Sequence, residues 1–430
     1  MLKMRKMKDS GIEWIGEIPE GWEVAPVRSC FDEVRTKNTD GQEQNALQFK
    51  SGNIISKTNF NANTDDYVAD AITNYTVVLP DTVMINGLNL NYDFKSLRVA
   101  LVKETGVITS AYLAIYPDRK KISPQYATYL FKGYETKMAF HNMGAGIRKT
   151  LGYKEFKNQP LLLPSKEEQN KISAYLDSKC SHIDVMLCKT RSSIEEYKKL
   201  KQTVITQAVT KGVRGEREMK DSGVEWIGEI PKEWSSCKLK SIASEIGDGL
   251  HGTPNFDDNG DVFFINGNNL GGEYVEPRAD TKRINSEEFL KYTRPFFSTQ
   301  TIMISLNGSY GKVSLYKNFP MLLGKSAGYI TLLPSIDCRY IKYYLSSTPS
   351  QIMMTLSLNG TTIPNLSLNT LRNFSIFLPV LCEQKEIAAY LDAKCAEIDK
   401  LIAKKEQLVK ELEIYKKSLI YEVVTGKREV

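Results

Sequence analysis

The chain carries the same thirteen-residue peptide twice, and this duplication restricts its fold more than any other feature. MKDSGIEWIGEIP at residues 7–19 returns as MKDSGVEWIGEIP at 219–231, with Ile12 replaced by Val224. Further on, EQNKISAYLDSKCSHID at 168–184 aligns without gaps to EQKEIAAYLDAKCAEID at 383–399, and eleven of those seventeen positions are identical. Self-similarity at a fixed spacing indicates a repeat architecture. The sequence therefore predicts two copies of one unit.

Composition is that of an ordinary globular protein. Of 430 residues, 41% are hydrophobic and 25% charged, which suits two to four domains of about 100–200 residues each. We expect neither a signal peptide nor a membrane span, because no apolar run is long enough. The seven cysteines are scattered, without a Cys-x-x-Cys pair, so we expect a reducing cytoplasm and no disulfide framework. The net charge of +6 is compatible with a polyanionic partner but does not require one.

Each copy has the same order of parts, and we predict an α+β fold in which mixed α/β globular domains are joined to long helices. Alternating runs such as NYTVVLPDTVMI and QTIMISLNG are typical of strands, and amphipathic stretches between them indicate helices. The predicted parts are an opening segment at 1–21, a globular domain at 22–163, a helical region at 164–216, a second opening segment at 217–233, a second globular domain at 234–378 and a second helical region at 379–430.

The two helical regions have apolar residues at heptad spacing, which is typical of a coiled-coil seam. One register of each helix comprises Leu176, Ile183, Tyr197 and Val204, then Leu391, Ile398, Leu412 and Leu419. The other comprises Ile172, Met186 and Leu200, then Ile387, Leu401, Leu408 and Tyr415. The matched lengths favour an antiparallel pair within the chain, with the globular domains at opposite ends and a pseudo-twofold axis between them. The alternatives are packing of each helix on its own domain or on another protein's helices.

Catalytic and metal-binding motifs are scarce in the sequence. It has three histidines, none at metal-ligand spacing, and it lacks the phosphate-binding loop and the dinucleotide fingerprint. One permissive pattern, Asp81 with Asp93 and Lys95, could serve a stand-alone nuclease, but the second half has no counterpart. The sequence therefore predicts a binding protein with no catalytic residues and no metal ligands of its own.

At this point the motifs resemble a known family. The duplicated Trp-Ile-Gly-Glu-Ile-Pro, the Leu-Pro before each helix (Leu163-Pro164 and Leu378-Pro379) and the Ile-x-x-Tyr-Leu-Asp at each helix start are similar to those of specificity subunits of type I restriction–modification systems. The resemblance covers essentially the whole chain. It implies two target-recognition domains that each read one half of a split, asymmetric sequence in double-stranded DNA, with helices that set the spacing.

The resemblance also implies partners. Two modification (methyltransferase) subunits would dock on the helices and methylate adenine with S-adenosylmethionine. Restriction subunits would cleave with ATP and Mg²⁺, so this chain would bind no cofactor itself.

Polar turn segments supply the candidate DNA contacts, because base edges pair with Asn, Gln, Arg and Lys while phosphates accept from Lys, Arg, Ser and Thr. In the first domain the candidates are Lys50, Ser51, Asn53, Asn86, Asn89, Asn91, Arg148 and Lys149. In the second they are His251, Thr253, Asn255, Asn266, Asn268, Asn269, Asn307, Ser309, Tyr310, Lys312, Asn359, Thr361 and Thr362. A coiled-coil scaffold that does not touch DNA, and the nuclease above, stand as alternative functions.

Overall fold

The fold is mixed α/β, and the chain divides into two compact units. A computed structural model describes residues 5–57, 72–143, 149–292, 297–358 and 364–430. Unit 1 comprises Met1–Arg191 with Gln407–Val430, and unit 2 comprises Ser192–Glu406. All seven cysteines lie in the described ranges, and each is free. Within those ranges, no helix combines the length and the apolar character needed to cross a membrane.

Unit 1 is organised around a four-stranded antiparallel sheet of order β4-β11-β8-β9. Its central strand β8, Val83–Ile85, is wholly buried, as expected of a short apolar run inside a core. The same unit has the two-stranded ribbons β1-β2, β3-β12, β5-β6 and β7-β10. The strands are β1 Met7–Asp9, β2 Glu17–Pro19, β3 Glu23–Pro26, β4 Phe31–Glu33, β5 Leu47–Lys50, β6 Asn53–Ser56, β7 Thr76–Val78, β8, β9 Val99–Leu101, β10 Gly106–Ile108, β11 Leu113–Pro117 and β12 Pro160–Leu163, with helices α1 Pro124–Thr136 and α2 Tyr153–Phe156.

Unit 2 has a corresponding four-stranded antiparallel sheet of order β16-β22-β19-β20. A second sheet, β18-β17-β21, contains a parallel pair between β17 and β21. The strands are β13 Met219–Asp221, β14 Glu229–Pro231, β15 Ser235–Lys238, β16 Ala243–Asp248, β17 Val262–Ile265, β18 Arg283–Ile284, β19 Thr301–Ser305, β20 Val313–Leu315, β21 Met321–Leu323, β22 Ala327–Leu332 and β23 Ser375–Leu378. After the long helix α3, Lys166–Lys211, the short helices are α4 Leu239–Ile242, α5 Ser286–Leu290, α6 Cys338–Ser346, α7 Thr348–Leu356 and α8 Leu368–Arg372.

Two long helices complete the chain, α3 at Lys166–Lys211 and α9 at Leu381–Val424. A buried glutamine one turn into each helix fixes its start. The side chain of Gln169 accepts from the amide of Ser123 at 2.8 Å and donates to the Pro164 carbonyl at 3.0 Å. Gln384 accepts from the amide of Asp337 at 2.9 Å and donates to the Pro379 carbonyl at 2.9 Å. The glutamine repeated in the sequence therefore ties each helix to its globular domain.

The two predicted registers of each helix differ in burial: the first is covered along its length, and the second is covered at the helix starts alone. Residues of the first register are buried or half-buried, including Ile183 and Leu391. In the second register Ile172 and Ile387 are buried at the helix starts, whereas the others are exposed: Met186, Leu200, Leu401, Leu408 and Tyr415. The buried row lies one residue further along, at Cys180, Leu187, Ile194 and Ala208 in α3 and at Ala388, Cys395 and Val423 in α9.

The displaced register has a simple physical cause. At 3.6 residues per turn, positions three and four residues from a seam residue lie close together on the helix surface. The buried row also contains Lys201 and Lys416, both half-buried. A count of apolar residues therefore favoured the predicted second register over the buried row. Lys201 pairs with Asp399 in unit 2, and Lys416 pairs with Asp184 in unit 1, each at 2.6 Å. The same ion pair thus recurs in both units.

Within each unit, the helical segments run antiparallel to each other. In unit 1, Arg191 pairs with Glu413 and Asp184 with Lys416, so rising numbers in one segment meet falling numbers in the other. Leu176 and Leu419 belong to the same core of unit 1. In unit 2 the core includes Ile205 and Val209 of α3 together with Ile387, Leu391 and Cys395 of α9.

The duplicated peptide forms a hairpin, and a tryptophan just after the hairpin anchors the start of the long helix. In unit 1 the indole of Trp22 donates to Glu168 at 3.0 Å, and Arg5 pairs with the same carboxylate at 2.6 Å. In unit 2, Trp234 and Arg217 donate to Glu383 at 3.3 and 2.7 Å. Each guanidinium also lies over its indole ring, with 5.5 Å to the ring centroid. Both units therefore use the same anchor, made by residues on either side of the repeated peptide and by the start of the long helix.

The hairpin tryptophans themselves have different surroundings. The rings of Trp14 and Tyr134 are T-shaped, with 4.7 Å between their centroids, and Tyr421 donates to the Trp14 carbonyl at 2.9 Å. In unit 2, Thr348 stands in the place of Tyr134, and Thr206 stands in the place of Tyr421. The backbone amide of Thr348 donates to the hydroxyl of Thr206 at 3.3 Å. Trp226 is consequently 39% exposed.

Candidate nucleic-acid interface

In the first domain, one candidate group lies at the turn between β5 and β6. Lys50 pairs with Asn53 across a two-residue turn formed by Ser51 and Gly52, both at positive φ, which is the geometry of tight hairpins. The side chains of Lys50, Ser51 and Asn53 are exposed. A Cβ on Gly52 would lie 3.0 Å from the Cβ of Leu97. Glycine is therefore required here, both for its φ and for the close approach of Leu97.

The second candidate group is the connection from β8 to β9. Asn86 is half-buried and accepts from the amide of Leu88 at 3.2 Å, while Asn89 is exposed at φ 52°. Leu90, between Asn89 and the half-buried Asn91, donates its amide to the Lys149 carbonyl at 3.2 Å.

These contacts bring the first-domain candidates together. Leu97 follows the 86–91 segment and touches the β5–β6 turn, and Lys149 joins from the chain before α2. Lys149 is exposed. The remaining first-domain candidate, Arg148, lies outside the described residues.

In the second domain, candidates gather around the turn Gly324–Ser326 between β21 and β22. Leu250 donates its amide to the Leu323 carbonyl at 2.7 Å, which places the neighbouring His251 beside this turn. Asn266 accepts from the hydroxyl of Ser326 at 3.2 Å, and the amide of Leu306 donates to the Ser326 carbonyl at 2.9 Å. Three separate segments that carry candidates therefore meet at one turn.

Lys325 at the centre of this turn is exposed, and reasoning from the sequence missed it. Its backbone carbonyl accepts from the side chain of Asn307 at 3.5 Å. The signal was present, because Gly-Lys-Ser directly follows an apolar strand. A cation at a turn that gathers other polar side chains is suited to a phosphate contact.

Several second-domain candidates form hydrogen bonds within their own domain. The side chain of Asn269 accepts from the backbone amide of Asn266 at 3.0 Å and donates to the hydroxyl of Thr281 at 2.8 Å. These two hydrogen bonds close a local turn. The backbone amide of Asn255 donates to the buried carboxylate of Glu288 at 3.0 Å. His251 is exposed, and its ring contacts Asp248 at 2.6 Å. Thr253 and Asn268 are exposed.

The β19–β20 connection holds the last described candidates. Ser305 accepts from the amide of Lys312 at 2.9 Å and donates to the Ser309 carbonyl at 2.7 Å, which closes the loop on itself. Tyr310 is half-buried, with its hydroxyl 3.1 Å from that of Thr355. Ser309 is exposed. Asn359, Thr361 and Thr362 lie outside the described residues.

The nuclease pattern has other contacts. Asp81 pairs with Arg119 at 2.7 Å. Asp93 accepts from the backbone amides of Lys95 and Ser96 at 3.1 and 3.0 Å. A hydrogen bond from the Ser96 side chain, and after it these backbone hydrogen bonds, lower the pKa of Asp93 to about 2. In the described part of the chain, no group of three or more His, Cys, Asp and Glu side chains is arranged to hold a metal ion. Asp81 and Asp93 therefore both have partners within the domain.

Comparison with known proteins shows which class this chain is similar to. The family model "Type I restriction modification DNA specificity domain" matches residues 231–411. The "Putative type I restriction enzyme MjaX specificity subunit" of Methanocaldococcus jannaschii is 25% identical over 97% of this chain and 96% of its own length. The MjaVIII specificity subunit of the same organism is 26% identical over 96% of this chain and 94% of its own length.

Solved structures agree on the fold. A chain from work on complex assembly and conformational transition of the type I R-M system has a TM-score of 0.72 at 16% identity, covering 96% of this chain and 99% of that one. The HsdS subunit from Thermoanaerobacter tengcongensis has a TM-score of 0.52 at 16% identity and covers 98% and 100%. The resemblance predicted from the sequence is confirmed: family model and curated relatives together support a type I restriction-modification specificity subunit.

Proposed function

We propose that each globular domain reads one half of a bipartite, asymmetric DNA sequence. The observation that carries this proposal is the contrast between shared framework and differing loops. Framework contacts recur in both units: Tyr126 donates to the Leu162 carbonyl at 2.9 Å, and Tyr340 donates to the Phe377 carbonyl at 2.7 Å. The β8–β9 and β19–β20 connections, which carry candidate polar residues, differ in length and sequence. Two readers built on one frame but with unlike loops suit two unlike half-sites.

In this proposal the long helices form one antiparallel coiled coil that sets the distance between the half-sites. A helix of 46 residues is about 69 Å long. DNA half-sites read from one face lie about one helical turn, or a multiple of it, apart. A stiff helical pair holds two readers at such a separation.

The helices also dock two modification subunits, in this proposal, through apolar residues that the cores leave uncovered. Met186 in unit 1 corresponds to Leu401 in unit 2, and Tyr415 in unit 1 corresponds to Leu200 in unit 2. All four are more than a third exposed. Exposed apolar residues that recur at equivalent positions suit two copies of one partner. Methylation with S-adenosylmethionine, and cleavage with ATP and Mg²⁺, would then belong to the modification and restriction subunits.

Adenine-methylation mapping by single-molecule sequencing tests the function. Cells that carry the gene and its partner genes are compared with cells from which only this gene is deleted. We expect a split motif with two unlike halves and a fixed gap that vanishes on deletion. Absence of any such motif, with a modification subunit known to be active, would instead favour the scaffold alternative.

A further inference from the structure

A buried arginine shapes the β8–β9 connection of the first domain. Arg98 is 0% exposed. Its guanidinium donates to the carbonyls of Asn86 and Leu88, each at 2.9 Å, and to the carbonyl of Asp93. One rigid, planar donor group thus gathers three backbone carbonyls from both sides of the loop, which a flexible ammonium on a longer stem cannot do as well.

Further contacts hold the same loop at its far side. The Asp93 carboxylate accepts from the amides of Lys95 and Ser96, and the Asp93 carbonyl lies 3.1 Å from the ring nitrogen of His141. That ring is stacked on Phe94, with 5.1 Å between centroids and 11° between planes. The loop 86–97 therefore has a fixed backbone although much of its surface faces solvent.

What this loop presents outward is unusual for a surface. Tyr92 is 71% exposed, Phe94 57% and Leu97 46%. Asn89 and Lys95, also exposed, flank the aromatic side chains. Aromatic faces bordered by an amide and a cation are the means by which proteins stack on bases, wedge between base steps and hold the neighbouring phosphates.

Unit 2 has the same chemistry on the corresponding strand connection. Strands β8 and β19 occupy the same position in the two four-stranded sheets, and each is followed by a loop that contains Asn-Gly, a tyrosine and a lysine. In unit 2 these are Asn307-Gly308, Tyr310 and Lys312. A surface for two copies of one partner protein would present the same side chains in the same positions. These loops share residue types but not length, which favours two different DNA half-sites as their ligands.

We propose that the loop 86–97 is the base-contacting element of the first domain, that Tyr92 stacks on or wedges beside a base of its half-site, and that buried Arg98 is the residue that positions this loop. The inference rests on the function proposed above and adds which residues carry half-site selectivity. Tyr92, Phe94 and Arg98 were not among the candidates from the sequence.

The test uses the full complex, with methylation mapping and the methylation rate of purified complex on one bipartite duplex. Tyr92→Ala should lower the methylation rate about 5- to 150-fold, the range expected for loss of one aromatic–base contact. It should also relax base preference in only one half of the motif. Leu79→Ala is the matched control, because Leu79 is 50% exposed in unit 1 but lies before β8, at the opposite end from the loop. This control should leave rate and motif unchanged.

The positioning role of Arg98 is tested by Arg98→Lys, which keeps the charge but loses the three-carbonyl geometry. We expect relaxed preference in the same half of the motif and little further loss when Arg98→Lys is combined with Tyr92→Ala, since residues that act as one unit are not additive. Melting followed by near-ultraviolet circular dichroism checks that both variants fold.

Three results would overturn the inference. The first is an unchanged motif and rate in Tyr92→Ala, and the second is equal relaxation of both halves. The third is loss of modification-subunit binding in a pull-down, which would make the loop a protein-docking surface. Absence of a bipartite motif with the wild-type chain would instead refute the function on which the inference rests.

Discussion

Removing the buried carboxylate of Glu383 tests the anchor between the duplicated hairpin and the long helix. The side chain of Glu383 is 2% exposed and that of its partner Arg217 is 12% exposed. Glu383→Ala leaves the guanidinium and the indole of Trp234 without their shared acceptor. Breaking one side of a buried ion pair costs about 3–5 kcal/mol. Because Arg217 keeps a bond of 3.0 Å to Glu233, we expect the lower end, about 3 kcal/mol.

The repeat supplies a matched control for this prediction. Glu168 holds the corresponding place in unit 1, but it is 25% exposed and its partner Arg5 is 31% exposed. Water partly replaces a lost partner at such a position, so Glu168→Ala should cost about 1 kcal/mol.

Calorimetry and urea titration of the purified chain measure both variants. For a unit of about 200 residues, each kcal/mol shifts Tm by about 2–4 °C. We therefore expect Glu383→Ala to lower Tm of the affected transition by about 6–12 °C and Glu168→Ala by about 2–4 °C. Equal losses in the two variants would refute the argument that burial decides the strength of the anchor.

Two further predictions concern unit 1. Burial raises the pKa of Glu135 from 4.5 to about 7; the folded state therefore binds a proton that the unfolded state has released, and stability should fall as pH rises from about 4.5 to 7. Glu135→Gln should flatten that slope in a series of Tm measurements, and an unchanged slope would show that Glu135 is not its source. Gly52→Ala should lower the free energy of unfolding by about 1–2 kcal/mol because of the positive φ, and further because the new Cβ would crowd Leu97. Gly16 has φ 72° and open space around it, so Gly16→Ala should show the φ cost alone. Equal losses in the two variants would mean that Leu97 gives way.

The repeat and the long helices could be predicted from the sequence because they depend on local identity and periodicity. The placement of Gln169 and Gln384 could not, because a polar residue near a helix start ordinarily faces solvent and nothing local shows that the amides of Ser123 and Asp337 need an acceptor. Arg98 was missed for the same reason. A lone arginine after a polar turn is usually exposed. The three carbonyls that accept from Arg98 belong to a loop whose backbone conformation cannot be predicted from its composition.

The candidate interface shows the same division. Asparagines and lysines in turns were identified from the sequence, but their grouping depends on close approaches such as the one between Gly52 and Leu97. The offset of one residue in the second helical register arose because Lys201 and Lys416 occupy inner positions through ion pairs with Asp399 and Asp184. Periodicity counts apolar residues and does not recognise a lysine that reaches a partner.

The division of the chain into units has a consequence for folding during synthesis. Unit 2 is one continuous stretch, Ser192–Glu406, whereas unit 1 needs Gln407–Val430 in addition to the first 191 residues. Its core includes Leu419 and Val424, and Tyr421 reaches Trp14 across 407 positions of sequence. Such long-range closure is slow and cannot occur until both ends exist. The unit that leaves the ribosome first is therefore the last to complete its core, and its apolar surface must stay shielded from aggregation until the final helix has been made.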